Sequence, residues 1–399
     1  MPGTDGSTLR ARRRERRWDV PEMARQLSRA ARETGQAVAA LDGLIRMIYA
    51  WERGDHAISE RYELLYAAAL QIEPHRLGRL PDDPAARKED TDSASAAQIS
   101  AGDVAVIRGM LDSLTASDRQ FGGGHALAYA MDYLQTIVMP RMNARGDVRV
   151  LHDLYAVTVE LNLRAASMQL DAGHARESRR LLGTSFPLAQ ETGSPILAAW
   201  VLSRCGEQHL QDGMIEQAFA YTSAAAAMSA RSAPAARSFI LIKHALALSA
   251  TGDRTATLRV VGDAWDAYHR AGNADEPAWM RAYGLEHLQH DEGRCLNNLG
   301  LGDQAVRAAE RSLEIRTLSR PRAFTLAVKT LGYVRGSNPD FDAACTTGHE
   351  LIAVTAEIAS ARVRTQVAKV LRALRPHQAK PAVKDLLEAA RPLVDVHAE

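Results

Sequence analysis

At 399 residues the chain is too long for one small domain and fits two or three units of ordinary size. A hydrophobic share of 46% and a charged share of 24% exclude wholesale disorder, and 49 Lys+Arg against 48 Asp+Glu leave a formal charge of +1, so any basic surface must be local. Cys205, Cys295 and Cys345 stand far apart with no CxxC, which supports neither a disulfide framework nor a structural zinc site. The expected compartment is a reducing cytoplasm. No run approaches the roughly eighteen apolar residues of a membrane span, and the arginine-rich start lacks the apolar core of a signal peptide.

The fold expected throughout is all-α. A first helix reads from Thr8 to Arg17. Asp19-Val20-Pro21-Glu22 then opens a second: Asp19 can accept from an amide of the first turn, Glu22 can reach back, and Pro21 sacrifices no needed donor. Val20, Met23, Ala24 and Leu27 follow at helical spacing and predict one buried face. DGLIRMIYAWERG gives a third helix that Gly54 can end in a left-handed cap, and Ser59 heads a fourth that stops before Pro74. From Met1 to Arg32 nine arginines face Asp5, Glu15, Asp19 and Glu22, a local charge of +5. This unit is bounded at residues 1–80.

Pro81 to Asp103 carries six acids against Arg87 and Lys88, with two prolines and no apolar periodicity, so residues 81–103 read as an acidic linker. From 104 to 399, helix-length stretches alternate with short Gly/Asp turns. Gly173, Gly213, Gly252 and Gly302 each sit between two helical patterns, and seven residues before them stand Ala166, Gly206, Ala245 and Cys295. A small residue on one helix with a glycine turn after it is the signature of stacked helical hairpins.

Leu9-Arg10-Ala11-Arg12-Arg13-Arg14-Glu15-Arg16-Arg17, Glu22-Met23-Ala24-Arg25-Gln26-Leu27 and Trp51-Glu52-Arg53-Gly54 together resemble the XRE-type helix-turn-helix of phage repressors and bacterial regulators. About two dozen residues separate Leu27 from Trp51, wider than that family's usual spacing, and Arg12 stands where the family carries a core leucine. Beyond the linker, Gln120-Phe121-Gly122-Gly123-Gly124-His125, then Tyr133-Leu134 and Val138-Met139-Pro140, resemble actinobacterial XRE regulators with tetratricopeptide-type repeats. The resemblance implies a lambda-repressor-like domain followed by an α-solenoid of degenerate hairpins. Arg307 departs from the small residue that such a repeat prefers.

The same resemblance makes the third helix a recognition helix for double-stranded DNA. Its base-facing positions fall on Ile45, Arg46 and Ala50, with Tyr49 beside them; Arg46 could grip guanine bidentately. Arg53, Arg16 and Arg17 would hold phosphates. Arg13 with Glu52 matches the family's internal ion pair. For Tyr49 and Ile45 the alternative is a place in the core or facing the linker. Homodimerisation on a two-part operator follows from the small number of bases one module reads.

Nine residues before the first three turn glycines stand Arg164, Arg204 and Lys243. In tetratricopeptide-type arrays this position faces the concave groove, which implies a basic column, uncompensated without a ligand, for an anionic effector such as a peptide; Asn162 and Gln208 lie close enough in register to meet a peptide backbone. The alternative is a set of solvated charges on rotated helices.

Catalytic motifs are missing: no GxSxG, no GxxxxGK[ST] and no nucleotide fingerprint occurs. His287, His290, Asp291 and Glu292 form the densest ligand-like group but lack the HExxH order. The sequence therefore predicts a regulator that is not an enzyme and needs neither cofactor nor metal, sensing a ligand through its repeats and free of the membrane. The alternative is a repeat scaffold for a protein partner.

Overall fold

The computed structural model describes residues 6–16, 18–72, 77, 98–121, 123–272 and 276–394, and every regular element among them is helical. The chain divides into two units, Met1–Ala97 and Gln98–Glu399. No described helix is long and apolar enough to cross a membrane.

In the first unit, α1 spans Gly6–Glu15, α2 Val20–Glu33, α3 Leu41–Arg53 and α4 Glu60–Leu70. Asp19 caps α2 by accepting from the Glu22 amide. Glu22 does not reach back; its carboxylate is taken by Arg25 and Gln26 one turn on. Ser59 precedes α4 without a side-chain cap bond. Gly54 ends α3 at φ 79°, where a residue with a Cβ would be strained. Val20, Met23, Ala24 and Leu27 pack with Leu44, Ile48, Trp51, Leu65 and Tyr66 in one core. The wide spacing from Leu27 to Trp51 is absorbed by a 14-residue α2 and by the connection Thr34–Ala40.

The second unit opens with α5 (Ala101–Phe121) and α6 (Gly123–Tyr133), the latter continuing through a π-helical turn to Arg141. The expected linker runs too far. Its residues 81–97 lie outside the described residues, but Ile99 bonds the Arg145 carbonyl and Ser100 and Asp103 cap α5 reciprocally, so 98–103 belong to the folded unit. Gly123 and Gly124 lie in the first turn of α6.

Five antiparallel hairpins follow, the first three being α7 (Val148–Asp171) with α8 (Ala175–Glu191), α9 (Pro195–Gln211) with α10 (Ile215–Met228), and α11 (Pro234–Thr251) with α12 (Arg254–His269). After these come α13 (Leu285–Asn298) with α14 (Gly302–Ile315) and α15 (Ser319–Arg335) with α16 (Phe341–Ala356), and then α17 (Ala361–Leu374) and α18 (Pro381–Ala389), the latter packed on α16. The first helices of successive hairpins pack side by side as an inner wall, and α17 returns to touch α7.

The turn glycine of the fourth hairpin is Gly300, at φ 71°, and not Gly302. Gly302 already lies in α14, where an added Cβ would fall 2.3 Å from the Gly332 carbonyl. Correcting the register moves the small residue from Cys295 to Gly293. At Gly206 an added Cβ would crowd Thr222 and the Ala218 carbonyl, at 2.5 and 3.1 Å, on the second helix of its own hairpin; at Gly293 it would crowd Val328 of α15, at 2.9 Å, and only touch the Ala305 carbonyl.

Candidate nucleic-acid interface and inner charged wall

Helix α3 divides its residues cleanly. Leu44, Ile48, Trp51 and Glu52 are buried, whereas Arg46, Tyr49 and Arg53 are exposed and Ile45 and Ala50 half-buried. Tyr49 thus stays outside the core, while Ile45 packs against its edge. Arg46 donates to the Asp42 carbonyl one turn back at 3.3 Å and makes no ion pair among the described residues. Arg53 is turned to Asp55 at 2.8 Å. Arg16 gives one donor to the Leu70 carbonyl at the end of α4, 2.5 Å away, which makes it in part a helix cap. Arg17 lies outside the described residues.

Sequence reasoning missed the basic stripe of α2. Arg25, Arg29 and Arg32 line a shallow groove of about 450 Å³ with Glu22, Gln26, Ser28 and Leu41 at the start of α3. Their i, i+4 and i, i+3 spacing was visible in the sequence.

Glu52 fixes α3 from within. Arg13 of α1 meets it with two parallel bonds, Nε–Oε1 2.6 Å and Nη2–Oε2 2.7 Å, and Tyr66 Oη lies 3.4 Å from Oε1. The hydrogen bond to Glu52 holds the Arg13 pKa above its ordinary value, while burial of Tyr66 pushes its phenol up.

On the inner wall of the second unit, Arg164, Arg204 and Lys243 are each paired with carboxylates, so they do not form an uncompensated column. Arg164 meets Asp118 of α5 at 3.1 Å, Arg204 meets Glu207 at 2.5 Å, and Lys243 bridges Glu207 at 2.7 Å and Asp291 at 2.8 Å. Arg294 completes this group on Asp291. Asp291 occupies the fourth hairpin's place in the column once its turn is set at Gly300, so the fourth member is an acid. Burial raises the pKa values of Glu207 and Asp291, yet the neighbouring Lys243 charge helps hold both below the ordinary carboxylate range.

A second knot joins the ends of the wall. Arg320 of α15 reaches both Asp118 and Asp171, and Arg362 of α17 holds Asp171 through Nε at 2.8 Å and Nη2 at 2.6 Å. In all, six cations face four carboxylates. Arg164 Nε remains buried without a hydrogen-bond partner.

The other expected ligand contacts fare differently. Gln208 is spent on packing: Oε1 accepts from Ser178 Oγ and Nε2 donates to the Ala175 carbonyl, tying α9 to α8. Asn162 is buried on α7. His287, His290, Asp291 and Glu292 turn to separate partners: the Gly284 amide, Thr325, Lys243 with Arg294, and Arg311. No group of three metal-ligating side chains converges among the described residues. Compared with known proteins, the chain matches no family model, no curated protein and no solved structure.

Proposed function

We propose that this chain is a cytoplasmic, non-catalytic transcriptional regulator, with a helix-turn-helix domain that reads duplex DNA and an α-solenoid of tetratricopeptide-like hairpins that dimerises and senses an anionic effector. The observation that carries the reading is the division of α3 between a buried face and an exposed one. Leu44, Ile48 and Trp51 anchor it, Arg13 clamps its end through Glu52, and Arg46 and Tyr49 remain exposed. A helix held this rigidly can present a guanidinium to a base edge, while Arg25, Arg29 and Arg32 supply sequence-independent phosphate attraction.

For the effector, support comes from the cationic excess on the inner wall and from the unpartnered Arg164 Nε. An anion there would meet charges already held in place.

The deciding experiment is selection of bound duplexes from a random pool by the purified full chain, followed by mobility shift at physiological salt. The expected outcome is an enriched sequence with two related half-sites. Binding that ignores sequence would favour the scaffold reading.

A further inference from the structure

Between α12 and α13 the chain leaves the regular hairpin interval, and its last nine residues, Glu276–Gly284, lie across first helices of earlier hairpins. The Glu276 carboxylate accepts from the amides of Ala235 and Ala236 at the start of α11, at 2.7 and 3.1 Å. Three residues on, the Trp279 indole stacks on Trp200 of α9 with centroids 4.2 Å apart and planes 13° from parallel. Phe239 of α11 meets the Trp279 ring at 5.9 Å and the Tyr283 ring at 5.3 Å, both edge-on. Tyr283 Oη lies 3.2 Å from Ser238 Oγ.

The platform is periodic although the segment is not. Trp200 and Phe239 each stand thirteen residues before their turn glycines, Gly213 and Gly252, one helical turn before Arg204 and Lys243 on the same inner face. Two equivalent positions of successive hairpins thus form an aromatic step, with the N-terminus of α11 beside it to receive a carboxylate. The segment's contacts are of the kind a separate peptide could make: a charge on helix amides, an indole on a flat ring, a phenol on a hydroxyl and the buried Met280 side chain.

We infer that Glu276–Gly284 is a built-in occupant of a peptide-receptor face on α9 and α11, and that this face takes in trans a peptide carrying a carboxylate three residues ahead of an indole, in exchange for the segment. An intramolecular occupant lowers the apparent affinity of a competitor by the fraction of time the face is free. Loosening the segment must therefore strengthen binding of the competitor, the reverse of what removing contact residues does to a simple scaffold. The inference is independent of DNA binding, because its readout is peptide binding alone.

The test uses the full chain and a fluorescein-labelled, otherwise capped peptide with the sequence of Glu276–Gly284, followed by anisotropy. Glu276→Ala/Trp279→Ala should bind it about tenfold or more tightly than the wild type, and adding Trp200→Ala should abolish the gain. A peptide with glutamine for its glutamate and alanine for its tryptophan should bind neither chain. Thermal melts verify folding; should the double variant not fold, Glu276→Ala alone carries the comparison. Equal binding to variant and wild type, binding to neither, or a gain that survives Trp200→Ala overturns the inference.

Discussion

The Arg13 guanidinium and the Glu52 carboxylate, 39 positions apart in sequence, form a two-point buried ion pair that ties α1 to the last turn of α3. Its geometry fixes the axial rotation of α3, and with it the direction in which Arg46 and Tyr49 leave the surface. Glu52→Ala would leave the Arg13 charge in the core with the Trp18 carbonyl as its remaining hydrogen-bond acceptor among the described residues. The expected cost to the first unit is about 3–5 kcal/mol, read by chemical denaturation. A loss below about 1 kcal/mol would mean that the pair behaves as a solvated surface bridge.

Arg46 is the side chain expected to read sequence. Arg46→Ala should reduce the discrimination between a selected duplex and a scrambled one by about 1–3 kcal/mol, whereas Arg29→Ala should weaken both alike and flatten the salt dependence. An unchanged specificity ratio in Arg46→Ala would mean that another part of α3 faces the bases.

The buried face of α2 and the left-handed end of α3 follow directly from local spacing, because Val20, Met23, Ala24 and Leu27 are separated by helical intervals and Gly54 directly follows Glu52-Arg53 at the end of the helical pattern. The carboxylates opposite the basic column were not legible in the same way. Asp118 and Asp171 meet Arg320 and Arg362 only because small rotations add up over five hairpins until α17 reaches α7, and no local period records that sum. The Glu276–Gly284 segment left one trace: turn glycines 39 or 40 residues apart become 48 apart between Gly252 and Gly300.

Gly300 and Gly302 are chemically identical neighbours with opposite duties, and substitution separates them. An added Cβ at Gly300 has open space but sits at φ 71°, so Gly300→Ala should cost about 1–2 kcal/mol through backbone strain. At Gly302 the added Cβ meets the backbone of Gly332 and Gly336, which cannot rotate away as a side chain could. Gly302→Ala should therefore be the more damaging, about 3 kcal/mol by denaturation, and the reverse order would return the turn to Gly302.

Asp171 carries the closure of the inner wall and should make it sensitive to acid. Burial alone would raise its pKa, but the hydrogen bond from Arg362 and the charges of Arg362 and Arg320 outweigh burial and hold it below the ordinary 3.8. A depressed folded-state pKa means that the unfolded chain takes up the proton first, so the stabilisation is complete above about pH 3.8 and is lost as the pH falls through the lower folded value. Asp171→Asn removes the charge but keeps the shape. Among the described residues, at pH 7 it leaves Arg362 without its paired carboxylate and Arg320 paired with Asp118, at an expected cost of about 3–5 kcal/mol. On acidification below pH 3.8 the wild type should lose stability faster than Asp171→Asn, so the gap between them narrows. Urea denaturation of both chains from pH 7 to pH 3 measures this directly. A gap that stays constant over that range would show that the Asp171 charge does not hold the two ends of the wall together.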